Sequence, residues 1–493
     1  MPNRLLQGCL RPITVVEPEL RGGSADIEVV DTPQPSSRVY LDQPTRSPWL
    51  AQVNWAAPSQ PLDADGVVDV VVVGAGIAGV AATFFILRNT NKRVLLVERD
   101  RVASGATARN AGQLTTYFER PLASIADEFG VEQAVEAQRE LDGAHDLLDV
   151  IVDEAGASLR IERFMGHMGM FNLNHVQVHL RNNLIRREGG WRAGECVIAE
   201  DVDFLGEIPA GFDGLYEVVP RARVRELLEI DDDRYCAVLS DLAGCANSCL
   251  LSVQVLDGLL RRYPDRLRFV EHTPVTTITV GDDRAHVRAG GHQVSAGHVV
   301  LCTNGFVDHD VQDASGSPVR LAPDQEITGV VGHMVAFAED TAREPAAMSY
   351  IRNATIGGER GYIYVTRRTY DRTDDVVTLT CMGGPEHPLD PRTWDPDIPF
   401  PGELIAEMDN DVRPLANSLR PSGQPYDFHW HGLMGYNDSG IRVVGAHPRH
   451  PSLLYNVGCN GVGFLPSIFG GQRVSQLLAG LRLPPSVFDP RPS

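Results

Sequence analysis

The sequence predicts an α/β protein in which a parallel, ligand-binding sheet is interleaved with a second, β-rich α+β domain. Three observations carry this expectation. A valine run ending in G-x-G-x-x-G opens a strand–turn–helix–strand unit at residues 68–98. A strand, Gly-rich turn and helix recur near the end of the chain, in LLYNVGCNGVGFLPSIFGGQRVSQLLAG. Between them lie β-rich stretches, MVAFA, GYIYVT and VVTLTC among them, which form insertions rather than part of the first layer. At 493 residues the chain is too long for one ordinary core.

The opening unit is the most informative. Five of the six residues from Val68 to Val73 are valine, a β-branched run suited to a strand buried on both faces. GAGIAG follows, spanning Gly74, Ala75, Gly76, Ile77, Ala78 and Gly79. Gly74 permits the tight turn, Gly76 lets backbone approach a pyrophosphate, and Gly79 lets the following helix pack closely on the strand. The helix N-terminus offers free N–H groups to phosphate. A second strand ends in Glu98, 19 residues past Gly79, where a carboxylate accepts both ribose hydroxyls and repels a 2′-phosphate. The unit therefore predicts a Rossmann-type domain that binds a dinucleotide other than NADP.

Composition narrows the function further. A formal net charge of −21 argues against nucleic acid and anionic membranes as partners. The N-terminal stretch has no apolar core of signal-peptide length, and the uncharged run from Val70 to Leu87 carries the glycines of a β–α unit, so no transmembrane segment is expected. Eight scattered cysteines form no CxxC pair, which argues against a zinc ribbon or disulfide framework and for cytoplasmic residence.

In chain order, residues 1–66 are rich in Pro, Ser, Gln and Asp and predict a surface extension, with Trp49 and Leu50 of SPWLAQ as its anchor. Residues 67–160 make the first cofactor-domain segment. Within it, Ser104 to Gln113 is small and polar, a loop that approaches a ligand closely, and Leu122 to Ala155 predicts an exposed helical pair. Residues 161–240 begin the substrate domain. Residues 241–315 return to the cofactor domain, with a helix over 246–263. Residues 316–428 resume the substrate domain, with a helix over 403–415. Residues 429–483 close the cofactor domain, and 484–493 form a tail.

These blocks resemble the FAD-dependent D-amino-acid oxidase superfamily, and most of all its gamma-glutamylputrescine oxidoreductase, glycine oxidase and sarcosine oxidase-like branch. The resemblance is carried by SPWLAQ, GAGIAG with Glu98, GATARNAGQ, VEHTPVTTI with VVLCTNGF, and GLMGYNDSGIRVVG with GCNGVGFLPSIFGG, in the family's order. It implies FAD as cofactor. Gly74 to Gly79 would meet the pyrophosphate, Glu98 and Arg99 the adenosine side, and Val275 the adenine. Ala106, Thr107, Arg109, Asn110, Ala111, Gly112 and Gln113 would line the flavin side. Thr303, Asn304 and Gly305 would close over the cofactor. Gly435, Asn460, Gly461, Val462 and Gly463 would complete the flavin contacts.

The substrate side matches less closely. Family members usually present a Tyr and an Arg from the β-rich domain, which makes Tyr364 and Arg367, or Arg368 beside it, candidates for substrate anchoring, with His431 a further positioning candidate beside His429. A strand's period of two lets only half of such residues face one side. Tyr350, Arg352 and His333 are additional pocket candidates, and Cys459 stands beside the flavin turn. The implied function is oxidation of a C–N bond in a small amine or amino acid, with oxygen or a redox carrier as acceptor. Oxidation of a 2-hydroxy acid and a flavin-bound subunit without its own turnover are the alternatives.

Overall fold

Five parallel strands set the frame of the molecule. In the computed structural model the described residues are 46–53, 59, 62–281, 283–339, 341–351, 362–372, 375–388, 391–398 and 426–493. The predicted helix over 403–415, Arg352 and most of the 1–66 extension lie outside them. The parallel strands run in the order Leu267–Val270, Val94–Val97, Gly66–Val73, His292–Leu301 and His450–Val457. Val275–Val280 and Ala285–Ala289 add antiparallel strands beyond His292–Leu301, and Val443–His447 pairs antiparallel with His450–Val457.

The valine run behaves as a doubly buried strand should. Val70 and Val72 pack into the helical core, while Val71 and Val73 pack into a separate cluster on the opposite face. The helix Ile77–Asn89 is buried on all sides through Leu87. It packs on this sheet beside the C-terminal helix Phe464–Leu478, which itself contacts Val443–His447 and His450–Val457. Gly471 makes that crossing possible, because a Cβ there would lie 2.7 Å from the backbone of Ala81 and Ala82.

Asp310–Asp313 completes the first sheet beside Val275–Val280. Among the described residues the second sheet has nine strands, in the order Phe428–Tyr436, Thr328–Glu339, Val376–Pro388, Tyr362–Asp371, Ala346–Ile351, Ile161–Met170, Ala237–Ala246, Glu195–Ala199 and Glu217–Val219. Most of its pairs are antiparallel. The strand Phe428–Tyr436, expected within the cofactor segment 429–483, pairs with Thr328–Glu339 in this second sheet. The expected helical pair is three helices, Leu122–Phe129, Val131–Asp142 and Ala144–Ala155, broken at Gly130 (φ +88°) and Gly143.

Where it is described, the extension is anchored within SPWLAQ as expected: Ser47 and Trp49 are fully buried, while Arg46 and residues 63–66 are exposed. Tyr370 donates to Pro48 O (3.1 Å), and Asn247 donates to Trp49 O (3.2 Å). The Arg368 guanidinium stacks 4.7 Å from the Trp49 ring. Among the described residues no helix is long and apolar enough to cross a membrane.

Candidate active site

All five parallel strands end at one edge, and the loops that leave them form one wall of a large cavity of about 1670 Å³, open mouth included. Clefts at the carboxyl ends of parallel strands are where open α/β sheets bind ligands. Gly74, Gly76, Ile77 and Ala78 line it after the first strand, Glu98 and Arg99 after the second, and Thr273 to Val275 after the third. Cys302, Thr303 and Asn304 follow the fourth, and Cys459, Gly461, Val462 and Gly463 the fifth.

Glycine is required at two positions of the first of these turns. Gly74 has φ +96°, and a Cβ on it would lie 2.7 Å from Cys302 O. A Cβ on Gly79 would sit 1.8 Å from Gly74 O, so this glycine does not line the cavity but brings the helix onto the turn. Two helices, starting at Ile77 and Phe464, therefore aim their N-termini into the same space. Free N–H groups and positive dipole ends there suit a bound anion.

Glu98 is held by the backbone: Ala75 N–H donates to Oε2 (2.7 Å) and Asp100 N–H to Oε1 (3.0 Å). Burial pushes its carboxyl up to about 7 despite those donors. A ligand that brought hydroxyl donors would favour the carboxylate.

The 106–113 loop forms the next part of the wall. Ala106, Thr107, Arg109, Asn110, Ala111 and Gln113 line the cavity. Thr107 Oγ1 accepts from Ile77 N–H (2.9 Å), and Gln113 Nε2 donates to Thr366 Oγ1 (2.6 Å), tying the loop to both sheets. The buried extension backs it: Ser47 Oγ donates to Ala108 O and Trp49 Nε1 to Asn110 O (2.5 Å). In a trans peptide the N–H points opposite to the carbonyl, so Trp49 turns the Ala111 N–H away from the extension. Gly112 (φ +71°) lies against the Trp49 ring rather than in the cavity.

The facing wall comes from the second sheet by strict alternation: Gly332 and Met334, Tyr362 and Tyr364, Gly432 and Met434. Gly332 pairs directly with Gly432; a Cβ on Gly432 would lie 2.7 Å from Arg109 Cβ, so Gly432 makes room for the loop, while Gly332 makes room for the end of the Met434 side chain. Gly305 and Gly435 serve the seam between the sheets instead. A Cβ on Gly305 would lie 2.5 Å from Met434 O, and one on Gly435 would lie 2.8 Å from Gly305 N. Asn460, with φ +44°, holds its turn by accepting from Asn437 N–H (2.9 Å).

Tyr364 lines the cavity, its ring crossing Gly383 of the neighbouring strand. Burial pushes its phenol up, so it stays a neutral donor. Arg367 does not join it. An odd-numbered residue on that strand faces the other way, and Arg367 grips Glu229 with two hydrogen bonds (2.6 and 2.7 Å). His431 is likewise absent from the lining. Its Nδ1 accepts from Trp394 Nε1 (3.1 Å), its Nε2 donates to Ile398 O (2.8 Å), and burial lowers its pKa. Tyr350 donates to Leu228 O within a separate core, and His333 pairs with His431 across the strands. Burial pushes the Cys459 thiol up, away from reactivity.

The sequence reading missed Tyr117, Tyr362, Phe306 and Arg442, all of which line the cavity. Tyr362 could have been found by parity with Tyr364. Tyr117 and Tyr362 meet hydroxyl to hydroxyl (3.1 Å), and both donate to Glu119 Oε1 (3.3 and 2.6 Å). Behind them lies a second cavity that shares Gln113, Thr115, Tyr117 and Tyr362 with the first. Among the described residues no cluster of three or more His, Cys, Asp or Glu could hold a metal.

Two features make the cavity fit an elongated, anionic dinucleotide. The converging helix N-termini supply anion-binding ends, and Arg109 and Arg442 each bury an Nη1 that has no hydrogen-bond partner among the described residues. The family model for the FAD dependent oxidoreductases, DAO, matches residues 69–477. Gamma-glutamylputrescine oxidoreductase of Escherichia coli (strain K12) is 31% identical over 94 residues, 19% of this chain and 22% of that protein's length. Glycine oxidase from Geobacillus kaustophilus superposes with a TM-score of 0.60 at 16% identity, covering 85% of this chain and 96% of that one. L-proline dehydrogenase from P. horikoshii gives 0.61 at 16% identity, over 84% and 94%.

Proposed function

Because the chain belongs to the FAD-dependent oxidoreductase family, with FAD as its cofactor, we propose that it oxidises the C–N bond of an amine or amino acid. FAD, when bound, supplies a two-electron acceptor for the hydride that leaves the substrate's α-carbon. The Gly74–Ala78 turn would hold the pyrophosphate, Glu98 the adenosine ribose and Val275 the adenine. The 106–113 loop and the Gly461–Gly463 turn would hold the flavin ring between the two walls.

The observation that carries the reading is the character of the tyrosine end. Tyr117 and Tyr362 are backed by the Glu119 carboxylate, and the second-sheet arginine suited to gripping a carboxylate is committed to Glu229. Phenols and a carboxylate favour an amine over an anionic 2-hydroxy acid. The chemistry asks little acid–base help from the protein. Tyr117, Tyr362 and Tyr364 orient the substrate and exclude water while the neutral amine loses its α-hydrogen. The resulting imine takes up water and splits into a carbonyl compound and an amine.

Anaerobic titration with panels of amines, amino acids and 2-hydroxy acids tests this. Amines should bleach the visible flavin band, and oxygen uptake on admitting air would identify the acceptor. Bleaching by hydroxy acids alone would overturn the reading.

A further inference from the structure

Arg442 was not legible as a site residue, yet it is the most constrained cation in the cavity. Its side chain is only 6% exposed while it lines the cavity together with Ala78 and Ser467, which lie in the first turns of the two converging helices. Nε donates to Asn456 Oδ1 (2.7 Å) and Nη2 to Asn456 O (3.1 Å). The Asn456 amide in turn donates to Ser467 O (3.0 Å) and reaches Ala78 O (3.5 Å). One asparagine thus fixes the guanidinium against both helix starts. Burial lowers the Arg442 pKa only to about 10, so it is charged at neutral pH.

That arrangement is unfavourable by itself. A buried guanidinium sits beside two positive helix ends, and its fixed neighbours are an amide and backbone carbonyls rather than a carboxylate. A doubly negative group placed among the three would reverse the sign of every one of these interactions. We propose that Arg442 is the fixed countercharge for the pyrophosphate of FAD, adding a full charge to a site of this type that ordinarily uses backbone N–H groups and a helix dipole. The proposal rests on the flavin reading above. It makes the empty site destabilising and the filled one stabilising.

Arg442→Met and Arg442→Lys separate this role from a purely structural one. Each variant is compared with the wild type in thermal unfolding of the flavin-free and FAD-loaded forms, and in direct binding of FAD, ADP and adenosine. Arg442→Met should raise the melting temperature of the flavin-free protein while weakening FAD and ADP by about 30-fold, the effect of losing one charge-assisted hydrogen bond to phosphate. Adenosine, which lacks phosphate, should bind as before, and Arg442→Lys should recover part of the loss. A flavin-free Arg442→Met protein that melts lower, with ADP and adenosine affected equally, would show that Arg442 merely braces Asn456. ADP against adenosine reads Arg442 directly, so a wild type that took up no flavin would refute the flavin assignment without deciding this point.

Discussion

The two walls of the cavity are built by opposite means. The first-sheet wall is made of backbone at strand ends, at positions where a side chain would collide: Gly74 against Cys302 O, Gly461 against the Tyr436 hydroxyl, with Gly79 behind them against Gly74 O. The second-sheet wall is made of side chains in mid-strand, chosen by parity: Tyr362 and Tyr364 inward, Arg367 outward. A wall of backbone can hold one constant ligand and tolerates almost no substitution. A wall of side chains can be recut without disturbing the sheet that carries it. The division of labour between cofactor and substrate follows from that difference.

The largest effect expected of this division is at Gly79. Gly79→Ala places a Cβ where a carbonyl oxygen already stands, and should empty the protein of flavin and destabilise it by about 3 kcal/mol or more, read by absorbance and denaturant unfolding. A yellow, fully stable variant would break the comparison outright. Next is Arg367→Met, which tests the far face of the other wall. Leaving Glu229 partly buried without this partner should lower stability by about 2 kcal/mol, discounted because Glu229 is partly solvated and keeps Arg343. KM should stay unchanged, and a raised KM would return Arg367 to the substrate side.

A smaller effect concerns pH. The folded, flavin-free protein keeps the Glu98 proton up to about 7, whereas the ordinary value is 4.5. The native state therefore binds more protons between these values, and this group's contribution to stability falls as pH rises through that window. The carboxylate is the form that accepts ribose hydroxyls, so FAD affinity should rise by about tenfold between roughly pH 6 and pH 8. Glu98→Gln should flatten that profile. The mildest test is Tyr364→Phe, which should change KM by a few-fold, as one hydrogen bond allows, and leave flavin content intact. Loss of flavin would mean the walls do not divide the work.

This contrast also explains what could be read from the sequence. The valine run, GAGIAG, Glu98 and the Gly461–Gly463 turn were legible because each is a local requirement: a buried strand, a positive φ, a close approach. Of these, Val73, Gly74, Gly76, Ile77, Ala78, Glu98 and Gly461 to Gly463 line the cavity. The second-sheet wall depends on which strands lie side by side and on register, which no short stretch records. Tyr364 and Arg367 differ by an odd number, so parity already forbade their sharing a face in a regular strand. Arg442 left only a weak sign, one cation in an otherwise apolar GIRVVG, whose meaning depends on two helices far apart in the chain. The strand Phe428–Tyr436 was misassigned because it runs directly into a first-sheet unit without a break in composition.

The buried Ser47–Trp49 segment has a consequence for the order in which the molecule is assembled. It leaves the ribosome among the earliest described residues, yet the groups that fasten it are Asn247, Tyr370 and His429, the last through Arg46 N–H to His429 O at 3.1 Å. Contacts so distant in sequence form late, after both sheets exist to hold the sockets in place. Until then the carbonyls of Ala108 and Asn110 lack their partners and the 106–113 loop has no backing. Pulsed hydrogen exchange should find the amides of Leu50 to Val53, which are hydrogen-bonded within the segment, protected after those of the parallel strands. The segment is thus a latch that closes only after Asn247, Tyr370 and His429 are in place, and cofactor capture waits on them.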